Sequence, residues 1–172
     1  MFILITGVPG TGKTTISKTL KKVLNNKYII LNDKEFCKKN DLGSYTKQNE
    51  YVVSIPKLNS AFKKFCLQNS YKNIICEGHL WCELNKQNLK LFDFVFELRA
   101  SPKDIRKRLN ERRYPVTKIE DNVFCQETNY VSNNLDLKDV VFYKVNVNND
   151  INKNINKIKK IIYGKNTERK KF

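Results

Sequence analysis

The stretch that most constrains this chain is Gly7-Val8-Pro9-Gly10-Thr11-Gly12-Lys13-Thr14: a glycine, four residues, then Gly-Lys-Thr. It follows the apolar run Phe2-Ile3-Leu4-Ile5 and leads into Thr15-Ile16-Ser17-Lys18-Thr19-Leu20, which reads as helix. Strand, glycine-rich turn and helix in that order is the context in which this pattern has physical meaning. Glycines let the backbone fold tightly. The N–H groups of Gly10, Thr11, Gly12, Lys13, Thr14 and Thr15 then gather at the positive end of a helix, where they suit phosphate oxygens. In that geometry Lys13 reaches the β/γ-phosphates and the Thr14 hydroxyl holds Mg²⁺. A nucleotide is the expected ligand.

The rest of the 172 residues alternates strand-like and helix-like stretches, which favours a single α/β domain over 1–172 built in layers. Phe2 to Thr6 reads as a buried first strand rather than a secretory leader, and no apolar run approaches the ~18 residues of a membrane span. A helix is expected from about 13 to 25 and a second strand at Tyr28-Ile29-Ile30-Leu31. Residues 34 to 55 are polar and irregular, with a turn signal at Asp41-Leu42-Gly43-Ser44, and read as an inserted, mobile substrate segment. Pro56 opens a helix whose Leu58, Ala61, Phe62 and Phe65 fall at helical spacing. Asn73 to Cys76 and Phe92 to Leu98 are the third and fourth strands. Ser101-Pro102-Lys103-Asp104 carries the marks of a helix start, and Thr117-Lys118-Ile119-Glu120 reads as another. A fifth strand at Val140 to Val145 precedes a helix at 151 to 163, with Gly164 as its expected stop and a frayed basic tail from Lys165 to Phe172.

Five cysteines, no C-x-x-C pair and one histidine support neither a disulfide framework nor a zinc site; thiols in a reducing cytoplasm or nucleus are expected. The net charge of +16, from 27 lysines and 6 arginines, would attract polyanions such as nucleotides, RNA or a ribosomal surface, or it reflects a lysine-rich composition alone.

In open parallel sheets, ligands bind outside the carboxyl ends of the strands. Besides the glycine-rich loop, Asn32-Asp33 follows the second strand and Glu77-Gly78-His79 the third. Glu77 is placed to hold Mg²⁺, and His79 to relay a proton or position water. Asp33 either caps the next segment or meets a substrate. Ile105, Arg108, Leu109 and Arg112 fall at i, i+3, i+4 and i+7, so both arginines edge a buried stripe and need an anion: a phosphate or a protein acid. Arg106 and Lys107 point elsewhere, into solvent. Arg99 is either structural or faces the phosphates.

With the loop, Glu-Gly-His and Arg108-Leu109-Asn110-Glu111-Arg112-Arg113-Tyr114 together, the chain resembles the adenylate kinase isoenzyme 6 family, whose members include a coilin-interacting nuclear ATPase. The likeness spans nearly the whole chain, through Glu35-Phe36-Cys37-Lys38, Tyr51-Val52-Val53 and Lys118-Ile119-Glu120-Asp121-Asn122. It implies a P-loop NTPase three-layer fold: a five-stranded parallel sheet, a nucleoside-monophosphate segment at about 33–56 and a short lid at about 111–121. It also implies contacts to ATP from the P-loop and from Arg112. With the motifs, the expected activity is transfer of the ATP γ-phosphoryl to AMP with accompanying ATPase activity, by a monomer that binds no membrane and whose Arg108 also meets the nucleotide. Family members are linked to small-ribosomal-subunit maturation, which brings a ribosomal protein or rRNA in as partner. Three positions depart from the family pattern. Glu77 stands where an aspartate is usual, and Arg113 where the lid usually has glycine. The monophosphate segment has no arginine, so the acceptor phosphate would fall to Lys38, Lys39 or Lys57.

Overall fold

The computed structural model describes residues 1–47 and 50–169. Five parallel strands, β1 (Phe2–Thr6), β2 (Tyr28–Asn32), β5 (Asn73–Glu77), β6 (Phe94–Arg99) and β7 (Tyr143–Asn146), form one sheet in the order β2-β5-β1-β6-β7. Successive side chains of a strand point to opposite faces, and β1 shows the consequence. Phe2 and Leu4 join one core with α3 (Ile55–Gln68), α5 (Pro102–Glu111), α6 (Val116–Glu127) and α7 (Tyr130–Leu137). Ile3 and Ile5 join the other, against α1 (Lys13–Val23) and α8 (Ile151–Arg169). Both faces are covered, which is why the central strands read as continuous apolar runs. The expected three-layer α/β architecture is what forms.

In the segment expected to be irregular, 34–55, the described residues form a helix and a pair of antiparallel strands. The helix α2 (Asp33–Lys39) is capped by Asn32, whose side chain accepts from the N–H groups of Lys34 and Glu35, and it buries Phe36 and Cys37. The strands β3 (Gly43–Tyr45) and β4 (Tyr51–Val53) pair antiparallel. Elements this short carry too few residues for their periodicity to register. A short helix α4 (Lys86–Leu89) and the whole of α7 were likewise not foreseen.

Two helix ends also differ from expectation. Ser101 does cap α5, accepting from Asp104 N–H at 3.1 Å. Thr117, however, lies inside the first turn of α6: the cap is Pro115, extended at φ −55° and ψ 143°, whose carbonyl accepts from Ile119 N–H at 3.0 Å. At the other end, α8 runs through Gly164 to Arg169. One glycine costs about 1 kcal/mol in a helix, too little to stop one anchored by Ile155, Ile158 and Ile162. Of the expected basic tail, residues 170–172 lie outside the described residues.

Candidate active site

The sheet register brings the sequence motifs together. Asn32 and Ile5 are both aligned with Glu77 across neighbouring strands, so the β1, β2 and β5 carboxyl ends converge. Glu77 is almost fully buried. Its carboxylate accepts from the Thr14 hydroxyl at 3.1 and 3.2 Å and from the Asn32 amide at 2.8 Å. The indole N–H of the buried Trp81 donates to the Glu77 carbonyl at 3.2 Å and fixes its backbone. A hydroxyl beside a carboxylate, next to a phosphate-binding loop, is a donor set suited to Mg²⁺, which keeps several waters and takes one or two protein oxygens.

In the glycine-rich loop, Gly12 sits at φ 89° and starts α1. Lys13 curls back, its ammonium donating to the carbonyls of Gly7 (2.7 Å) and Val8 (3.0 Å). Burial lowers its pKa from the ordinary lysine value to about 8, against the pull of Asp33 and Glu77. Gly10, Gly12, Lys13, Thr14 and Thr15 line a cavity of about 150 Å³ with Asp33, Glu77, His79 and Arg112. Thr11 does not line that cavity: it is buried, with its hydroxyl donating to Val8 O at 2.9 Å.

Asp33 does not cap α2, a job done by Asn32. It is 2% exposed, accepts from Leu80 N–H (2.8 Å) and Lys34 N–H (2.7 Å), and stands 3.7 Å from His79 Nδ1. Gly78, at φ 148°, lets the chain pass over this carboxylate with no room for a side chain. Burial holds the His79 pKa below its usual value, with Asp33 opposing and Lys13 and Lys34 assisting.

A second cavity, of about 540 Å³, opens beside the first and shares Lys34 and His79 with it. Its wall includes Tyr45 and Tyr51, whose rings lie 5.1 Å apart, and Lys38, whose ammonium sits 5.7 and 6.0 Å from their centroids. Across the cavity, Lys118 of α6 pairs with Glu50 of the insert at 2.5 Å. Sequence reasoning missed Lys34, Tyr45, Glu50 and Lys118; of the three lysines it named, Lys38 alone lines this cavity. Lys39 lies on another groove, with Phe36 and Phe65, and Lys57 is an exposed residue of α3 lining neither cavity.

The arginines separate. Arg108 pins the loop, donating to Gly10 O at 3.0 Å and to Asn149 Oδ1 at 3.3 Å. Arg112 is the C-cap of α5, exposed rather than half-buried, and lines the loop cavity. Neither has an ion-pair partner among the described residues, which removes the protein-acid alternative. Arg106 is not merely solvated: it forms a two-point pair with Glu120 at 2.9 and 2.7 Å, tying α5 to α6. Arg99 proves structural, bonded to Glu97, Ser132 and the Gln126 carbonyl. The connection between α5 and α6 is four residues, Arg112 to Pro115. Arg113 takes the left-handed φ of 56°, while Arg113 and Tyr114 N–H groups donate to Asn110 and Leu109 carbonyls. That is a Schellman turn with arginine where glycine is favoured.

Residues 3–129 match the family described as an AAA domain. A protein of Methanosarcina acetivorans named "Putative adenylate kinase" is 32% identical over 142 residues, covering 76% of this chain and 69% of its own length. The chain belongs to an adenylate-kinase-like family of P-loop proteins. A similarly named protein of Thermococcus kodakarensis is 37% identical over 123 residues, 72% of this chain and 63% of that relative, so the chain spans less than two thirds of its length. In fold, this adenylate-kinase-like chain is similar to a shikimate kinase from Acinetobacter baumannii: TM-score 0.59 and 19% identity, with 95% and 93% of the two chains covered.

Proposed function

We propose that the chain is a nucleoside monophosphate kinase of the isoenzyme 6 type, transferring the γ-phosphoryl of ATP to AMP to give two ADP. The observation that carries this is the pair of cavities meeting at Lys34 and His79. One is built for a triphosphate and its metal. The other joins lysines to two tyrosine rings, which suits the phosphate and base of an acceptor. The γ-phosphate bond to ADP breaks as a bond to an acceptor phosphate oxygen forms. The protein's part is to position both and to offset charge that spreads over the transferred group.

Lys13 exchanges its backbone carbonyls for phosphate oxygens. Thr14 and Glu77 would hold Mg²⁺, which draws charge from the bridging phosphate oxygens when bound. Arg112 reaches in from the loop edge, with no ion-pair partner among the described residues. Lys34 and Lys38 take the acceptor phosphate as point charges, in the absence of an arginine fork. His79, held against Asp33, accepts a proton or orders a water. The four-residue lid leaves the site open, and water then competes with AMP, so ATP hydrolysis accompanies transfer.

The +16 charge supports a second reading: an ATP-driven factor in small-ribosomal-subunit assembly, cytoplasmic or nuclear, acting on a ribosomal protein or RNA with AMP phosphorylation incidental. ADP and phosphate release from MgATP, measured with and without each nucleoside monophosphate, separates the two. The kinase gives AMP-dependent ADP formation without matching phosphate release. Phosphate release indifferent to every monophosphate supports the assembly factor instead.

A further inference from the structure

Sixteen of the 17 acidic residues lie between Asp33 and Asp150. Residues 1–32 therefore hold five lysines and no acid, and residues 151–164 four lysines and no acid. Folding sets these two stretches side by side. Ile16, Leu20 and Leu24 of the α1 region pack with Ile155, Ile158 and Ile162 of α8 in one core, which turns the opposite faces of both helices to solvent. On α1 the exposed positions include Lys18 and Lys22; on α8 they include Lys153, Lys157 and Lys160. With a rise of about 1.5 Å per residue, neighbouring lysines on one helix stand about 5–6 Å apart, and packed helices lie about 8–10 Å apart. The result is a two-row basic face, extended by exposed Lys27 beyond the end of α1.

Most of the charge on this face is not met from within. Lys153 pairs with Asp150 at 3.6 Å and Lys157 donates to the Asn146 carbonyl at 3.5 Å. Lys18, Lys22, Lys27 and Lys160 have no ion-pair partner among the described residues, whereas Lys86, Arg106 and Lys118 elsewhere each hold an acid. A surface of like charges without acids repels itself and is relieved by an extended polyanion.

We propose that the α1/α8 face binds single-stranded RNA. Lys18, Lys22, Lys157 and Lys160 take successive phosphates. Asn25, Asn152 and Asn156, exposed among them, supply donors and acceptors for 2′-hydroxyls. Tyr163, half exposed on α8 with the Lys159 ammonium 6.0 Å from its ring centre, offers a surface on which a base stacks. An anionic membrane fits less well, because the exposed described residues of α1 and α8 include only two large apolar side chains, Ile151 and Tyr163, twelve positions apart and so forming no stripe to bury in lipid. None of these lysines lines either cavity of the candidate active site, so the inference stands apart from the kinase reading.

The test is fluorescence anisotropy of a labelled oligouridylate between 50 and 200 mM salt. Four phosphate contacts give a log–log slope of about −2.8, a loss of about 50-fold in affinity over that range. Replacing Lys18, Lys22 and Lys160 together with glutamine should cut that loss to about 3-fold, with ATP turnover and melting unchanged. The matched variant replaces Lys63, Lys64 and Lys103, exposed on the opposite side, and should keep the parent slope. Equal losses in the two variants would mean diffuse attraction by net charge and overturn the assignment. So would an oligouridylate that does not bind the parent at 50 mM salt, an oligodeoxythymidylate bound as tightly as the RNA, or phosphatidylserine vesicles that bind the parent more tightly than RNA does.

Discussion

Gly78→Ala is the single-atom test of how the site is assembled. A Cβ at this position would lie 2.0 Å from Asp33 Cγ and 2.1 and 2.4 Å from its two oxygens, far inside van der Waals contact. The backbone φ of 148° adds strain of about 1–3 kcal/mol for any L side chain. Asp33 is 2% exposed and cannot swing into solvent. To make room it must give up at least one of its hydrogen bonds from Leu80 and Lys34, each worth about 1.5–3 kcal/mol at a charged acceptor. The sum is about 3–6 kcal/mol, and a melting-temperature drop of at least about 8 °C follows for a chain of this size. Thermal and urea unfolding measure it. Asp33→Ala/Gly78→Ala should cost less than the two single changes added, by about 2 kcal/mol or more, because the clash disappears with the carboxylate. A Gly78→Ala protein melting within about 2 °C of the parent, or a double variant additive within about 0.5 kcal/mol, refutes the packing of this turn on Asp33.

Lys13→Met should abolish ATP turnover while the fold survives; retained turnover in the folded variant rejects the loop as the catalytic phosphate site. Burial sets the Lys13 pKa at about 8 in the folded protein, below the ordinary 10.5. The folded chain thus sheds this proton before the unfolded one does: the cost of burying the charge is full below pH 8 and fades as pH rises toward 10.5. ATP favours the ammonium, so its Kd should weaken over the same window, by up to about 10-fold per pH unit, in calorimetry of the parent and not of Lys13→Met. A flat parent profile contradicts the shifted lysine. Glu77→Gln should lower kcat about 100-fold or more and raise the Mg²⁺ needed for half-activation, since an amide has no charge to hold the metal; an unchanged Mg²⁺ titration makes Glu77 a fold residue only. Arg112→Ala should lower kcat about 30- to 1,000-fold with near-parent melting, because no acid among the described residues is left unpaired, and lysine there should restore part of the loss. A large fall in melting with normal kcat reverses that assignment. Arg113→Gly relieves a left-handed arginine worth about 1 kcal/mol and should raise melting by a few degrees; no gain, or a loss, means its side chain holds the loop.

Some of the site was legible because its parts are contiguous. Gly7 to Thr14 carries turn, amine and hydroxyl within eight residues, and Glu77 follows an unbroken apolar strand, so both could be placed from pattern alone. The second cavity was not legible in the same way. Tyr45, Tyr51 and Lys38 meet through two three-residue strands and a seven-residue helix, and Lys118 comes from a helix more than 60 residues further on. Lysines 38 and 39 look alike in sequence, yet helical rotation sends one to the tyrosines and the other to a groove beside α3.

Sequence alone determined the layered α/β architecture, the place of the glycine-rich loop between β1 and α1, and the capped start of α5. Each rests on local rules: strand and helix periods, glycine conformations and a serine cap, all acting within a few residues. Tertiary structure alone decided which charges are paired. Arg106 finds Glu120, Arg99 finds Glu97, Arg108 holds the loop backbone and Arg112 has no ion-pair partner among the described residues, although all four sit within fourteen residues. It also decided that Gly78 must be glycine, because the obstacle is a carboxylate 45 residues earlier in the chain. Pairing and clearance depend on distances between elements, and those exist only once the sheet has brought β1, β2, β5 and β6 side by side.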